Sequence, residues 1–198
     1  MAGAAETVGG AGLYERLAGE GWGRLDERVR RLHARGPASR LRAGGVFAVR
    51  RGRGLAARAL ARLLGLPAGG EAVPLRLSIE PAGGGERWRR AFAGREFVTV
   101  QREHAGALLA ERAGPFELLF RLSADGGALV YTQEGSALCA GPLKWRLPRL
   151  LAPRVEARER ARGGGAGVLV TVRVTAPLAG LVIEYEGHVT DDEEENAG

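Results

Sequence analysis

Residues 73–133 alternate between apolar and polar side chains almost without a break, and this periodicity limits the fold more than any other feature of the chain. Val73, Leu75, Leu77 and Ile79 share one face; Trp88, Arg90 and Phe92 share the next; Phe97, Thr99 and Gln101 follow, then Phe116, Leu118, Phe120 and Leu122, then Leu129 and Tyr131. A period of two puts successive side chains on opposite faces, so each run reads as a strand with one face on a core. Turn-forming residues separate the runs: Pro81 to Gly85, Ala93-Gly94, His104 to Gly106, Gly114-Pro115 and Asp125-Gly126-Gly127. Val168, Val170, Val172 and Val174 form a further strand, and Leu181, Ile183 and Tyr185 a closing one after the turn at 177–180.

The rest of the chain braces these strands. Leu13, Leu17, Leu25, Val29 and Leu32 recur at helical spacing, predicting a helix over 13–35 interrupted at Gly19-Glu20-Gly21 and stopped by Gly36-Pro37. Residues 41–50 predict a weaker strand, and 55–64 a short Ala/Leu-rich helix ended by Gly65 and Pro67. Residues 135–153 hold Pro142, Pro148 and Pro153 and read as an irregular loop or lid with one helical turn at 147–151. The charged run Arg154 to Arg162 reads as an edge strand, because charge there discourages further pairing. The sum is about nine or ten antiparallel strands, more than one twisted open sheet comfortably holds. The expected fold is therefore mostly β: a curved antiparallel sheet or β-barrel with two N-terminal helices at one end. A helix-grip-like fold is the alternative, although such a fold ends in a long helix and this chain ends in a strand.

Length and composition fit one domain over 13–190, between a disordered Gly/Ala-rich lead at 1–12 and an acidic tail at 191–198. The net charge of +6 invites a nucleic-acid reading. Yet Lys144 is the sole lysine among 29 basic residues and the arginines are scattered, which points to GC-rich coding in a bacterium, with no nucleic-acid partner expected. No apolar stretch reaches the ~20 residues needed to span a bilayer. The lead lacks a signal peptide's basic and apolar regions. A single cysteine, Cys139, excludes an internal disulfide and suits a reducing, cytoplasmic location.

The chain also resembles a bacterial family, the domain of unknown function 4166. The resemblance rests on Leu13-Tyr14-Glu15-Arg16-Leu17, Arg31-Leu32-His33-Ala34, Arg51-Gly52-Arg53-Gly54-Leu55, Leu66-Pro67, Glu86 to Phe92, Glu111 to Pro115, Leu147 to Pro153, Pro177 to Leu181 and Tyr185-Glu186-Gly187. It implies no activity. Members are sometimes fused behind a nucleotide-dependent reductase-like domain, which implies a reductase partner; in this chain no G-x-G-x-x-G follows a strand, so no cofactor of its own is expected.

The face that departs from plain core patterning is Trp88, Arg90 and Phe92, a guanidinium between two rings. Turned inward, Arg90 needs an anionic or carbonyl partner. That partner is either a carboxylate such as Glu111 or Glu117, in a structural ion pair, or the anionic end of a ligand. Turned outward, Arg90 stands in water. The ligand reading makes Arg90 and Arg112 the headgroup contacts, with Trp88, Phe92, Phe116, Phe120, Tyr131 and Trp145 lining the cavity or its lid. His33, His104 and His188 lack metal-ligand spacing. The row Glu184, Glu186, His188 shares a strand face and reads either as a metal site or as a solvated outer face. Cys139 reads as a small buried hydrophobe. The leading expectation is non-catalytic binding of an apolar small molecule or lipid with an anionic end. The alternatives are an enzyme, or substrate-binding accessory, working with a separate reductase, and a structural or interaction module with a filled interior.

Overall fold

A computed structural model describes residues 11–34 and 40–191. Among the described residues, eleven strands follow in chain order: β1 (Leu41–Arg51), β2 (Gly70–Ala82), β3 (Gly85–Phe92), β4 (Arg95–His104), β5 (Leu108–Ala113), β6 (Phe116–Asp125), β7 (Ala128–Ala140), β8 (Leu143–Arg146), β9 (Arg154–Ala161), β10 (Val168–Ala176) and β11 (Gly180–Asp191). Every neighbouring pair is antiparallel, β11 lies between β1 and β10, and the ring closes where β7 pairs with both β6 and β9. The result is a closed antiparallel barrel of ten strands, with β8 as one extra strand on β7. Closure satisfies the backbone donors and acceptors that an open sheet of this width would leave along its edges.

The interior repeats the alternation of the sequence. Leu75, Leu77 and Ile79 of β2, Trp88 and Phe92 of β3, and Leu118, Phe120 and Leu122 of β6 are all buried in one core with Leu129 and Tyr131 of β7. Two strand readings change. The run at 154–161 is not an edge, since β9 pairs with β10 along its length and with residues 129–131 of β7. Its arginines and Glu156 point outward, while Val155, Ala157 and Glu159 point into the cavity. Residues 135–146 are not irregular: β7 continues to Ala140 and turns into β8. β8 is exposed along its whole length, so it carries no buried face to announce it. The helical turn expected at 147–151 exists, closed by the Ala152 amide on the Pro148 carbonyl.

The N-terminal helix is broken as its glycines suggest, into α1 (Leu13–Ala18), a 3₁₀ segment (Gly19–Arg24) and α2 (Glu27–His33). Gly36-Pro37, the expected stop, lies outside the described residues, as do the lead up to Gly10 and the tail from Asp192. Asp26 caps α2 through the Arg28 amide and hands its own amide to the Gly127 carbonyl in the β6–β7 turn. Together with Arg16 to Glu103 and Arg28 to the Arg162 carbonyl, this seats α1 and α2 as a plug in one end of the barrel. The third helix, α3 (Leu55–Leu63), lies at the opposite end, where β1 stops. The helices therefore divide between the two ends instead of sharing one.

Candidate functional site

The barrel is not packed solid. A cavity of about 120 Å³ runs from the plug toward the α3 end. Its deep part is bounded by Leu32 of α2, Trp88, Gln101 and Glu159, all buried; its outer part by Leu64, Phe97, Phe116 and Val155, all half-buried. The mouth is therefore at the α3 end. The lining is apolar except for a short polar band of Arg90, Thr99, Gln101, Glu111 and Glu159, with the Tyr131 and Tyr185 rings beside it. An apolar void close to 150 Å³ stays dry and takes a ring-sized guest, so the enclosed space suits a slim apolar group.

Arg90 is turned inward. The β2–β3–β4 register aligns it with Leu77 and Phe97, and its side chain is 15% exposed. Its Nη1 donates to Thr99 Oγ1 at 2.9 Å, and Nη2 lies 3.5 Å from Glu111 Oε1. The guanidinium carbon sits 4.8 Å from the Trp88 ring centroid and 5.9 Å from that of Phe97, within cation–π range. Burial opposes the charge, but Glu111 and three surrounding tyrosines outweigh it and raise the guanidinium further above its ordinary value. Of the two inward readings, Glu111 supplies the carboxylate partner. A guanidinium has five N–H donors, more than these two contacts use, and Arg90 lines the cavity.

Below Arg90 the floor is a second polar cluster. His33 is held between the rings of Tyr14 and Trp88, with centroids 3.9 and 5.6 Å away. Its Nε2 donates to Glu159 Oε2 at 2.5 Å, and Tyr131 donates its hydroxyl to the other oxygen of Glu159 at 2.9 Å. Tyr14 donates to Gln101 Oε1 at 2.7 Å, and the Gln101 amide donates to Glu111 at 3.2 Å. The two tyrosine oxygens lie 3.4 Å apart. Each hydroxyl has one proton and each has a better acceptor, so the floor consists of two adjoining networks in place of one continuous relay. Burial alone would raise the Glu159 carboxyl; the charge and hydrogen bond of His33, the Tyr131 hydroxyl and the charge of Arg90 reverse this and hold it below the usual carboxylate range. Burial pushes the Tyr14 and Tyr131 hydroxyls well above their ordinary value, with Glu159 adding to it. Tyr185 is pushed up to about 12 by burial, against the opposing charge of Arg90. The tyrosines thus face the site as neutral hydroxyls.

Six of the residues singled out in the sequence, Trp88, Arg90, Phe92, Phe116, Phe120 and Tyr131, meet around this cavity. Two do not. Arg112 points to solvent and bonds the Gly114 carbonyl, because on β5 it is out of phase with the inward-facing Glu111 and Ala113. Trp145 is half-exposed on β8, outside the lining. Glu117, the other suggested partner of Arg90, is buried beneath the outer face of β6, where Lys144 and Arg102 clamp it. Glu159, Gln101, Tyr14 and Tyr185 were not singled out beforehand. The signal for Glu159 was its inward phase with Val155 and Ala157, masked by the charges on either side of it. The Glu184, Glu186, His188 row faces outward: Arg50 and Arg173 pair with Glu184, and Thr171 donates to Glu186. Among the described residues no group of three or more metal-ligating side chains comes together. Cys139 is buried, as expected of a small hydrophobe.

Residues 25–189 match the model of a family described as "Domain of unknown function (DUF4166)". No curated protein and no solved structure matches the chain.

Proposed function

Since the chain belongs to the DUF4166 family, whose description states no activity, we propose from the barrel interior that it binds, without catalysis, an apolar small molecule or lipid with an anionic or carbonyl end. One observation carries this reading: the apolar cavity contains a single guanidinium whose N–H groups are only partly used. The polar end of the ligand lies against Arg90, where it joins Thr99 and Glu111 as a further acceptor. A carbonyl satisfies Arg90 as a carboxylate does, without the repulsion of Glu111. The apolar body follows Phe92, Phe116 and Phe120 toward the mouth, and a body larger than the enclosed volume extends out through it.

Native mass spectrometry with fatty acids and their methyl esters tests the reading. The expected result is a single 1:1 adduct, weakened at least tenfold by Ala157→Phe, which fills the cavity from β9, and by Arg90→Met, which removes the donor. No adduct with either probe class on the folded wild-type protein overturns it.

The second reading, an enzyme acting with a separately supplied nucleotide-dependent reductase, is favoured by the Glu159 carboxylate, which reaches the cavity with His33 behind it. A carboxyl held below its usual range is a weak base, and this places the binding reading first. Turnover of a bound carbonyl compound by the protein with a reductase and nicotinamide cofactor, lost in Glu159→Gln while binding persists, would reverse that order.

A further inference from the structure

Among the described residues, most of the large apolar side chains that the barrel leaves exposed are gathered at one end. Leu55 and Leu63 of α3, Leu143 and Trp145 of β8, Leu150 and Leu151 of the following turn, and Leu178 of the β10–β11 turn are all exposed, Leu178 completely and Leu55 by 82%. The strand register places them together. Arg51, the last residue before the loop to α3, pairs with Ile183 near the start of β11; Ala176 pairs with Gly180 across the 177–179 turn; β8 extends the end of β7; and residues 147–153 lead into the start of β9. This is the mouth end. Among the described residues, the other two exposed large hydrophobics, Val46 and Val98, lie on the barrel wall, and none lies at the plugged end.

The composition of α3 shows the same bias. It buries Ala57 and Ala61 against the barrel, with Leu60 and Leu64 partly covered, and turns Leu55, Ala59 and Leu63 to solvent in one i, i+4, i+8 stripe. Arg58 and Arg62 flank that stripe, and Arg53, Arg95, Arg146, Arg149 and Arg154 stand exposed around the same rim, outnumbering the carboxylates Glu71, Glu96, Glu134 and Glu156. Leucines at a helix face and loop tips, ringed by arginines, match the boundary between acyl chains and anionic headgroups. Four separate tips need no complementary hollow in a bilayer, whereas a folded protein partner would have to supply one for each.

We propose that the mouth end of the barrel docks on an anionic lipid bilayer, inserting Leu55, Leu63, Leu150, Leu151 and Leu178 at the acyl boundary while the rim arginines engage the headgroups. The inference rests on the rim and not on the contents of the cavity. Docking would set the mouth directly on the membrane.

Flotation with vesicles of phosphatidylcholine, with and without phosphatidylglycerol at about one third of the lipid, tests it. The wild-type chain is expected to float with the anionic vesicles and to be released by salt, as screening of headgroup attraction requires. Emission from half-exposed Trp145 is expected to shift to the blue, a change absent in Trp145→Phe. Leu55→Glu/Leu63→Glu and Leu150→Glu/Leu151→Glu are each expected to reduce binding at least tenfold, and Arg58→Ala/Arg62→Ala to reduce it severalfold. Val46→Glu on the wall is expected to leave it unchanged. No flotation with anionic vesicles overturns the proposal, as do equal flotation with neutral ones and wild-type binding by the rim glutamate variants. The cavity-filled Ala157→Phe protein is expected to float normally; its failure to do so would overturn the claim that the rim acts alone.

Discussion

Glu159 is a buried carboxylate whose partners bear directly on stability. Its carboxylate is buried, accepts from His33 and Tyr131, and lies below the Arg90 charge. Removing the imidazole deprives a buried carboxylate of one of its two side-chain hydrogen-bond donors, so His33→Ala is expected to cost about 3 kcal/mol in chemical denaturation. The pH dependence has a definite sign. A carboxyl lower in the folded than in the unfolded chain contributes stability that is fully present above its unfolded value, near ~4.3, and is lost as pH falls through the folded value. Thermal melts of the wild type are therefore expected to fall below about pH 4, and Glu159→Gln to flatten that part of the profile. Glu117, held down by Lys144 and Arg102 against its own burial, contributes in the same window. A glycine sets a different constraint. A Cβ on Gly187 would lie 2.3 Å from the Val46 carbonyl and 2.5 Å from Phe47 Cγ, because the Phe47 ring packs over its cross-strand partner. Gly187→Ala forces that ring or strand to shift, and a loss of about 1–3 kcal/mol is expected by equilibrium unfolding.

Among the elements, β8 is held by few contacts. It pairs over four residues, all exposed, and its Lys144 reaches Glu117 on the barrel wall. Replacing Lys144 with Met removes this tie while Arg102 still neutralises the carboxylate. Faster amide exchange confined to residues 137–146, with the rest of the barrel unchanged, is the expected outcome; uniform acceleration would show instead that the hairpin and the barrel open together. In α3, the leucines at 55 and 63 touch too little to stabilise the fold, so their replacement by Glu is expected to change stability by no more than ~0.5 kcal/mol. A loss of vesicle binding in that variant then reports on the surface itself.

For the whole molecule, closure dictates both the interior and the folding rate. The β1–β11 contacts that complete the ring join residues far apart in sequence. Loop-closure entropy must be overcome before these contacts stabilise anything, so refolding in the millisecond-to-second range is expected by stopped-flow tryptophan fluorescence. Among the described residues no helix is long and apolar enough to cross a membrane.

Strand identity was legible wherever one face met the core. The runs 73–79, 88–92, 116–122 and 168–174 emerge as strands with their apolar sets inside, because alternation is a local consequence of burial on one side. The break in the N-terminal helix was legible too, since Gly19 sits at positive φ where side chains are disfavoured. The β7–β8 hairpin was not, because all four residues of β8 are exposed and no buried face leaves an alternation to read. Nor was the inner position of β9, whose outward charges resemble those of an edge. The sequence could set Arg90 between two rings but could not choose its partner among Glu111, Glu117 and a ligand. That choice depends on register across β3, β4 and β5, which closure of the ring fixes and no local pattern encodes. Periodicity, a property of neighbours along the chain, determined which side chains face inward; the meeting of Arg90 with Glu111, of His33 with Glu159, and of the exposed leucines at a single rim was decided only by strands and helices distant in sequence coming together in space.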